Sequence, residues 1–200
     1  FLVRKKAEGK IRHIGFSFHD DAETLEKMLT DHPETEVVQL QLNYIDWENE
    51  SVQSRKCYET CRRHGVQVTV MEPLKGGALV RLPEAAGKLL TEEDPKASFA
   101  SWGLRFAASL DGVLTVLSGM SSLEQVEDNI CTMGEFRPLT QGEREVIGRT
   151  VQIINDSIAI PCTACRYCIA GCPKKIAIPE YFALYNNQKQ FGLLPGLATT

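Results

Sequence analysis

The chain has 200 residues, 43% of them hydrophobic and 24% charged, with a formal net charge of −4. That is the composition of an ordinary soluble globular protein, enough for one large domain or one domain plus a small module. The acidic balance argues against a nucleic-acid footprint, and no apolar run approaches the roughly 20 residues that a membrane-spanning helix needs.

The chain starts, at Phe1, in what reads as mid-helix sequence. Residues 10–18 (KIRHIGFSF) read as a buried strand ending in a loop. Asp20 or Asp21 can cap the next helix, whose Leu25, Met28 and Leu29 share a face. A second strand is predicted over 37–42 (VVQLQL) and an amphipathic helix over 51–64, with Gly65 as its C-terminal cap. A third strand spans 66–71 and runs into the turn-like Glu72-Pro-Leu-Lys-Gly-Gly77. Asp94-Pro95 offers a capping side chain and then a first-turn proline for a helix to about Ser109. Asp111-Gly112 turns into a fourth strand over 113–117. Ser121 with Glu124, or Ser122 with Gln125, makes a capping box for the helix that follows. Another capping box, Thr140 with Glu143, starts a helix to about Ile158, and a last helix is predicted from Pro179 to about Gln190.

Strands alternating with helices indicate an α/β fold with a parallel sheet. The strands lack clean polar–apolar alternation, as expected where both faces are buried. The boundary between this part and the tail is predicted at Arg137-Pro138, giving domains 1–137 and 138–200.

The tail carries the most specific motif. Cys162, Cys165, Cys168 and Cys172, followed by Pro173, are spaced C-x2-C-x2-C-x3-C-P, the bacterial ferredoxin pattern for iron–sulfur ligation. Zinc sites usually separate two C-x2-C pairs, and this run is too compact for that. Cys172 either closes the same cluster or ligates a second one completed by further cysteines, and the second reading is preferred because the cysteine before proline serves the other cluster in two-cluster ferredoxins. Thiolate ligands imply a reducing compartment, so the expected location is cytoplasmic. Cys57 and Cys61 share a helix face; their spacing suits a metal pair, but no partner pair is near in sequence and they read as buried or surface thiols, with Cys131 as packing.

In a parallel α/β sheet, ligands gather at the carboxyl ends of the strands. The residues there are Ser17, Phe18 and His19; Asn43 and Tyr44; Met71, Glu72, Lys75, Gly76 and Gly77; and Ser118 to Ser121. Gly76 and Gly77 permit close backbone approach, Lys75 offers charge, and the Gly119–Ser122 turn leads into a helix N-terminus that attracts anions. His19 is a base candidate, although a polar cap beside Asp20 and Asp21 is the commoner role. Glu72 reads equally as an acid or a solvated carboxylate. Trp102, Leu104 and Phe106 read as core.

In this order, the segments 9–17, 39–43, 71–77 and 118–129 resemble the fifth to eighth strands of the aldo-keto reductases, in the branch with a ferredoxin-like tail. The resemblance implies the C-terminal half of a TIM (β/α)8 barrel followed by a small, mainly helical 4Fe-4S module. It implies NADP or NAD as cofactor and a small carbonyl-type substrate. By analogy, Ser17 and Gln39 contact the carboxamide and Met71 takes the place of a stacking aromatic. Lys75, Gly76 and Gly77 border the pyrophosphate, Gly119 lies in the nucleotide-binding turn, and Ser121, Gln125 and Asn129 contact the adenosine end. Phe18 departs from a usual asparagine, and Gln125 stands where some members have a basic residue. The family's catalytic Asp, Tyr, Lys and His belong to the first four strands, so no catalytic residue is assigned here. The chain looks like a fragment, inactive alone, with open sheet edges that favour self-association. The implied activity is NAD(P)H-dependent carbonyl reduction, with the cluster as electron relay or stiffener. Arg166, Lys174 and Lys175 would steer an acidic redox partner. The alternative is a non-catalytic electron-transfer or scaffold protein carrying the cluster.

Overall fold

The computed structural model describes residues 1–50, 52–160, 162 and 166–192. It divides into two compact units: Phe1–Gly76 with Ala100–Thr140, and Gly77–Phe99 with the described residues from Gln141 onward.

The first unit contains a parallel sheet of four strands among the described residues, in the order β1-β2-β3-β4. They are β1 (Gly15–Ser17), β2 (Val37–Gln41), β3 (Gln67–Met71) and β4 (Val113–Val116). With them lie α1 (Leu2–Ala7), α2 (Ala22–Asp31), α3 (Ser54–Arg63) and α6 (Leu123–Gly134). Helix α5 (Phe99–Ala108) belongs to the unit from Ala100 onward, and α4 (Glu84–Glu93) to the second unit. The first strand is shorter than its sequence suggests. Residues 10–13 lie outside it and are largely exposed, and pairing begins only where Gly15 meets Val37. A Cβ on Gly15 would lie 2.3 Å from the Val37 carbonyl oxygen, so glycine is what lets the two strands approach there.

The core is built on one face of the sheet. Val38, Leu40, Val68 and Val70 are buried against Leu25 and Leu29 of α2, Cys57 and Cys61 of α3, and Ala107. Burying each such side chain contributes about 1.5–3 kcal/mol. Trp102, Leu104 and Phe106 are buried too, as their sequence suggests. The opposite face is not sealed. Val37, Gln39, Gln41, Thr69 and Met71 are half-buried, while Ser17, Gln67 and Thr115 are exposed. The expectation that both faces are buried therefore fails, and burial alternates along β2 and β3.

Helix starts follow local capping chemistry. Asp21 caps α2 by accepting a hydrogen bond from the Thr24 N–H at 2.8 Å. Of the two candidate starts of α6, the chain uses Ser122 with Gln125 and not Ser121 with Glu124: Ser122 accepts from the Gln125 N–H, and the Gln125 side chain reaches back to accept from the Ser121 N–H at 2.8 Å. Gly65 closes α3 with φ +69°. Asp94 does not open a helix. It ends α4, its side chain accepts from the Lys96 N–H, and α5 begins only at Phe99. The β4–α6 region leaves apolar side chains exposed, among them Leu114, Leu117, Leu123 and Ile130.

In the second unit, α4 packs on α7 (Gln141–Asp156); Ala86 and Leu90 of α4 and Val146, Ile147 and Ile154 of α7 are buried. Short α8 (Tyr167–Ala170) meets α9 (Ile178–Phe191), whose first turn holds Pro179. Asn186 of α9 clasps the Ile160 backbone, donating to its carbonyl at 2.7 Å and accepting from its N–H at 2.8 Å. Gln190 donates to the Ile154 carbonyl at 2.6 Å.

Candidate functional site

Parallel pairing sets Ser17 beside Gln39, Gln39 beside Thr69, and Gln41 beside Met71, all on the unsealed face. On that face the ends of β1 and β3 and the middle of β2 bring side chains together. Gln39 Nε2 lies 3.4 Å from Ser17 Oγ and 3.5 Å from Met71 Sδ, and Ser17 Oγ lies 3.9 Å from the same sulfur. Ser17 Oγ is also 3.0 Å from His19 Nε2. His19 is therefore turned onto the Ser17 hydroxyl and does not cap α2. A serine hydroxyl and a glutamine amide offer the donor and acceptor that a planar amide needs, and a polarizable thioether suits an aromatic face. Three of the residues expected at a nicotinamide site thus form one polar–thioether cluster. Phe18, by contrast, points into the core.

Deeper in the same loops lies a group the sequence reading missed. Asp46 is fully buried, and its carboxylate accepts from Lys75 Nζ at 2.5 Å, Gln41 Nε2 at 2.9 Å and Asn43 Nδ2 at 2.8 Å. Asn43 closes the loop on itself by accepting from the Asp46 N–H at 2.8 Å, and reaches across to the Glu72 carbonyl at 3.1 Å. The Asn-x-x-Asp spacing after a strand was the available signal, since such side chains fold back on their own turns. Lys75 is therefore held by a carboxylate rather than presented as a free cation. Its turn is left-handed through Glu72 (φ +56°), Lys75 (φ +49°), Gly76 (φ +60°) and Gly77 (φ +86°). The 3-10 turn Lys75–Val80 starts there.

At the end of β4, Ser118 Oγ accepts from Asn129 Nδ2 at 2.9 Å, and Gln125 is occupied with Ser121. Gly119 and Ser121 are exposed, with open space where a Cβ of Gly119 would lie. Helix α6 carries Glu124, Glu127 and Asp128 and no basic residue. A cavity of about 160 Å3 lies beside His19, lined by Phe18, Asp20, Leu40, Gln41, Ser54 and Cys57 among others. Burial, followed by the Asp21 and Asp20 carboxylates, pushes the Cys57 thiol up to about 11. Burial, followed by Cys57, pushes Cys61 up to about 12. Both stay protonated near neutrality, which suits packing and not metal binding. Cys131 is exposed, contrary to its reading as a packing residue.

Of the four motif cysteines, Cys165 lies outside the described residues. Cys162 and Cys168 are exposed and Cys172 half-buried. The backbone N–H groups of Ile176 and then Lys174 hold the Cys172 thiol below its usual pKa. Stabilising a thiolate in this way fits a metal ligand. Among the described residues, no three His, Cys, Asp or Glu side chains are gathered into a metal-holding group. Arg166 is ion-paired with Glu180, while Tyr167, Tyr181, Leu184 and Tyr185 are exposed nearby on α8 and α9.

A parallel α/β sheet with polar side chains converging at its carboxyl ends is a ligand-binding architecture. The model of the aldo/keto reductase family matches residues 1–149, and the chain belongs to that family. Among solved structures, the holo form of aldo-keto reductase AKR11C1 from Bacillus halodurans is similar at 26% identity and a TM-score of 0.57. That alignment covers 74% of this chain and 53% of the other. An aldo/keto reductase from Klebsiella pneumoniae, solved with NADP and acetate, shares the fold at 20% identity and a TM-score of 0.57, over 74% of this chain and 51% of its own. The chain thus spans about half the length of these structures. No curated protein gave a significant match. Among the described residues, no helix is long and apolar enough to cross a membrane.

Proposed function

We propose that this chain forms the nicotinamide-binding part of an iron–sulfur aldo-keto reductase-like oxidoreductase that reduces small carbonyl compounds in the cytoplasm. The observation that carries the reading is the Ser17–Gln39–Met71 cluster on the unsealed face of the sheet. Its donors and acceptors fit a carboxamide, and Met71 fits the flat face of the adjoining ring. When bound, NAD(P)H supplies the hydride. Ser17 and Gln39 orient the carboxamide and so fix which ring face is presented. The left-handed turn at Lys75, Gly76 and Gly77 brings backbone close to the diphosphate. Gly119, Ser121, Gln125 and Asn129 flank the adenosine end, where the acidic start of α6 gives a 2′-phosphate no cation among its own residues. No residue of this chain is assigned to proton transfer.

In this reading residues 1–137 form the barrel part and 138–200 the tail. Cys162, Cys165 and Cys168 hold a 4Fe-4S cluster and Cys172 either closes it or, as preferred, ligates a second one; the lowered thiol pKa of Cys172 supports a ligand role in either case. A cluster there supplies one-electron transfer or stiffens the tail. An acidic redox protein is the partner that Lys174 and Lys175 would favour, whereas Arg166 is already paired with Glu180. The test is the anaerobic visible spectrum of the intact protein, with iron and sulfide counts, before and after NADPH. A brown protein that bleaches with NADPH supports a cluster in redox contact with the nicotinamide. A protein that stays colourless and iron-free after reconstitution removes the cluster from the proposal.

A further inference from the structure

The Asp46 network asks what a fully buried carboxylate does beside a nucleotide-binding turn. A buried charge persists only where it is paired and hydrogen-bonded, and removing one partner is costly. Asp46 meets that requirement with three side-chain donors drawn from three places: Gln41 at the end of β2, Asn43 in its own loop, and Lys75 from the loop after β3. Asn43 adds a fourth link by donating to the Glu72 carbonyl. Two loops on neighbouring strands are thereby tied at both ends of the segment 72–75. That segment needs the tie, because Glu72 and Lys75 both have left-handed backbone, which side chains with a Cβ adopt only under outside constraint.

We infer that Asp46 is a positioning residue for the cofactor site: through Lys75 and Asn43 it locks the Glu72–Gly76 turn, so that the turn's backbone rather than the Lys75 ammonium meets the diphosphate. The Lys75 charge is neutralised by its carboxylate partner and serves as a tether. This deepens the nicotinamide-dinucleotide reading and rests on it. It assigns opposite consequences to removing Asp46 from those expected if Lys75 were a phosphate ligand. With Lys75 as ligand, losing Asp46 frees a cation beside an anion and binding tightens. With Lys75 as tether, losing Asp46 releases the turn and binding weakens.

The experiment uses the intact protein with Asp46→Asn, Lys75→Met and the double variant. NADPH and NADH affinities are read by fluorescence titration at several salt concentrations, and amide exchange is followed over residues 72–77. The expected result is a loss of about tenfold in affinity for each single variant, with no further loss in the double, because both cut one tether. The salt dependence stays that of the wild type, and exchange over 72–77 rises while that of β2 and β3 does not. Binding that is unchanged or tighter in Asp46→Asn, or a salt slope that falls in Lys75→Met, overturns the inference. Should the wild type bind neither nucleotide, the cofactor reading fails by itself. Exchange over 72–77 still decides the tether, which is refuted if Asp46→Asn leaves it unchanged.

Discussion

The two faces of β2 and β3 are built from alternating residues of the same short strands, yet they do different work. Val38, Leu40, Val68 and Val70 are sealed beneath α2 and α3 and hold the sheet together. Val37, Gln39, Gln41, Thr69 and Met71 are half-buried on the other face and carry the polar cluster. A one-residue step along a strand moves a side chain from the sealed core to the polar cluster, because successive side chains point to opposite faces. Neighbouring substitutions should therefore have separable effects.

The largest effect is expected from the sealed face. Leu40→Ala should cost about 2–5 kcal/mol in chemical denaturation. Gln39→Ala, one residue away, should stay within about 0.5 kcal/mol in stability. It should instead weaken NAD(P)H binding by about tenfold, the loss of one well-placed hydrogen bond. Equal stability losses at the two positions would break the comparison. Gly15→Ala comes next, at about 1–3 kcal/mol, because the new Cβ collides with the Val37 carbonyl of the paired strand. A melting temperature equal to that of the wild type would show that β1 is not held as described. Gln125→Arg should tighten NADPH relative to NADH by about threefold to tenfold, by adding a cation at the start of α6. Parallel titrations with the two cofactors check this.

The smallest effect belongs to Glu36, just before β2, and depends on pH. Hydrogen bonds from Lys6, then from the Ile14 N–H and His13, hold the Glu36 carboxyl at about 2, below its ordinary 4.5. Because the folded state favours the ionised form, its contribution is complete above the ordinary value and is lost as pH falls through about 2. Glu36→Gln should therefore destabilise modestly at pH 6, and its difference from the wild type should shrink as the solution is acidified. Added salt should reduce it too, since the group is exposed.

Helices α2, α3, α6, α7 and α9 were legible in the sequence because their capping residues and apolar faces are local signals. Ser17, Gln39 and Met71 were legible as a group through the family resemblance, and the parallel strands set their side chains together. Three features were not. Helix α4 has a modest apolar face, and Asp94-Pro95 imitates a helix start that the chain does not use. The unsealed face of the sheet depends on what covers it, which strand composition does not report. Lys75 reads as a free cation because its partner, Asp46, is 29 residues away and its burial is a tertiary fact. Local pattern identifies a donor but not the acceptor that folding sets against it.

The most direct test of the account is titration of the intact protein with NADPH and NADH, followed by nicotinamide fluorescence, for the wild type and a Ser17→Ala/Gln39→Ala variant of matched stability. The wild type should bind saturably, and the variant should lose at least about tenfold in affinity. A wild type that binds neither nucleotide, or a variant that binds as tightly as the wild type, would contradict it.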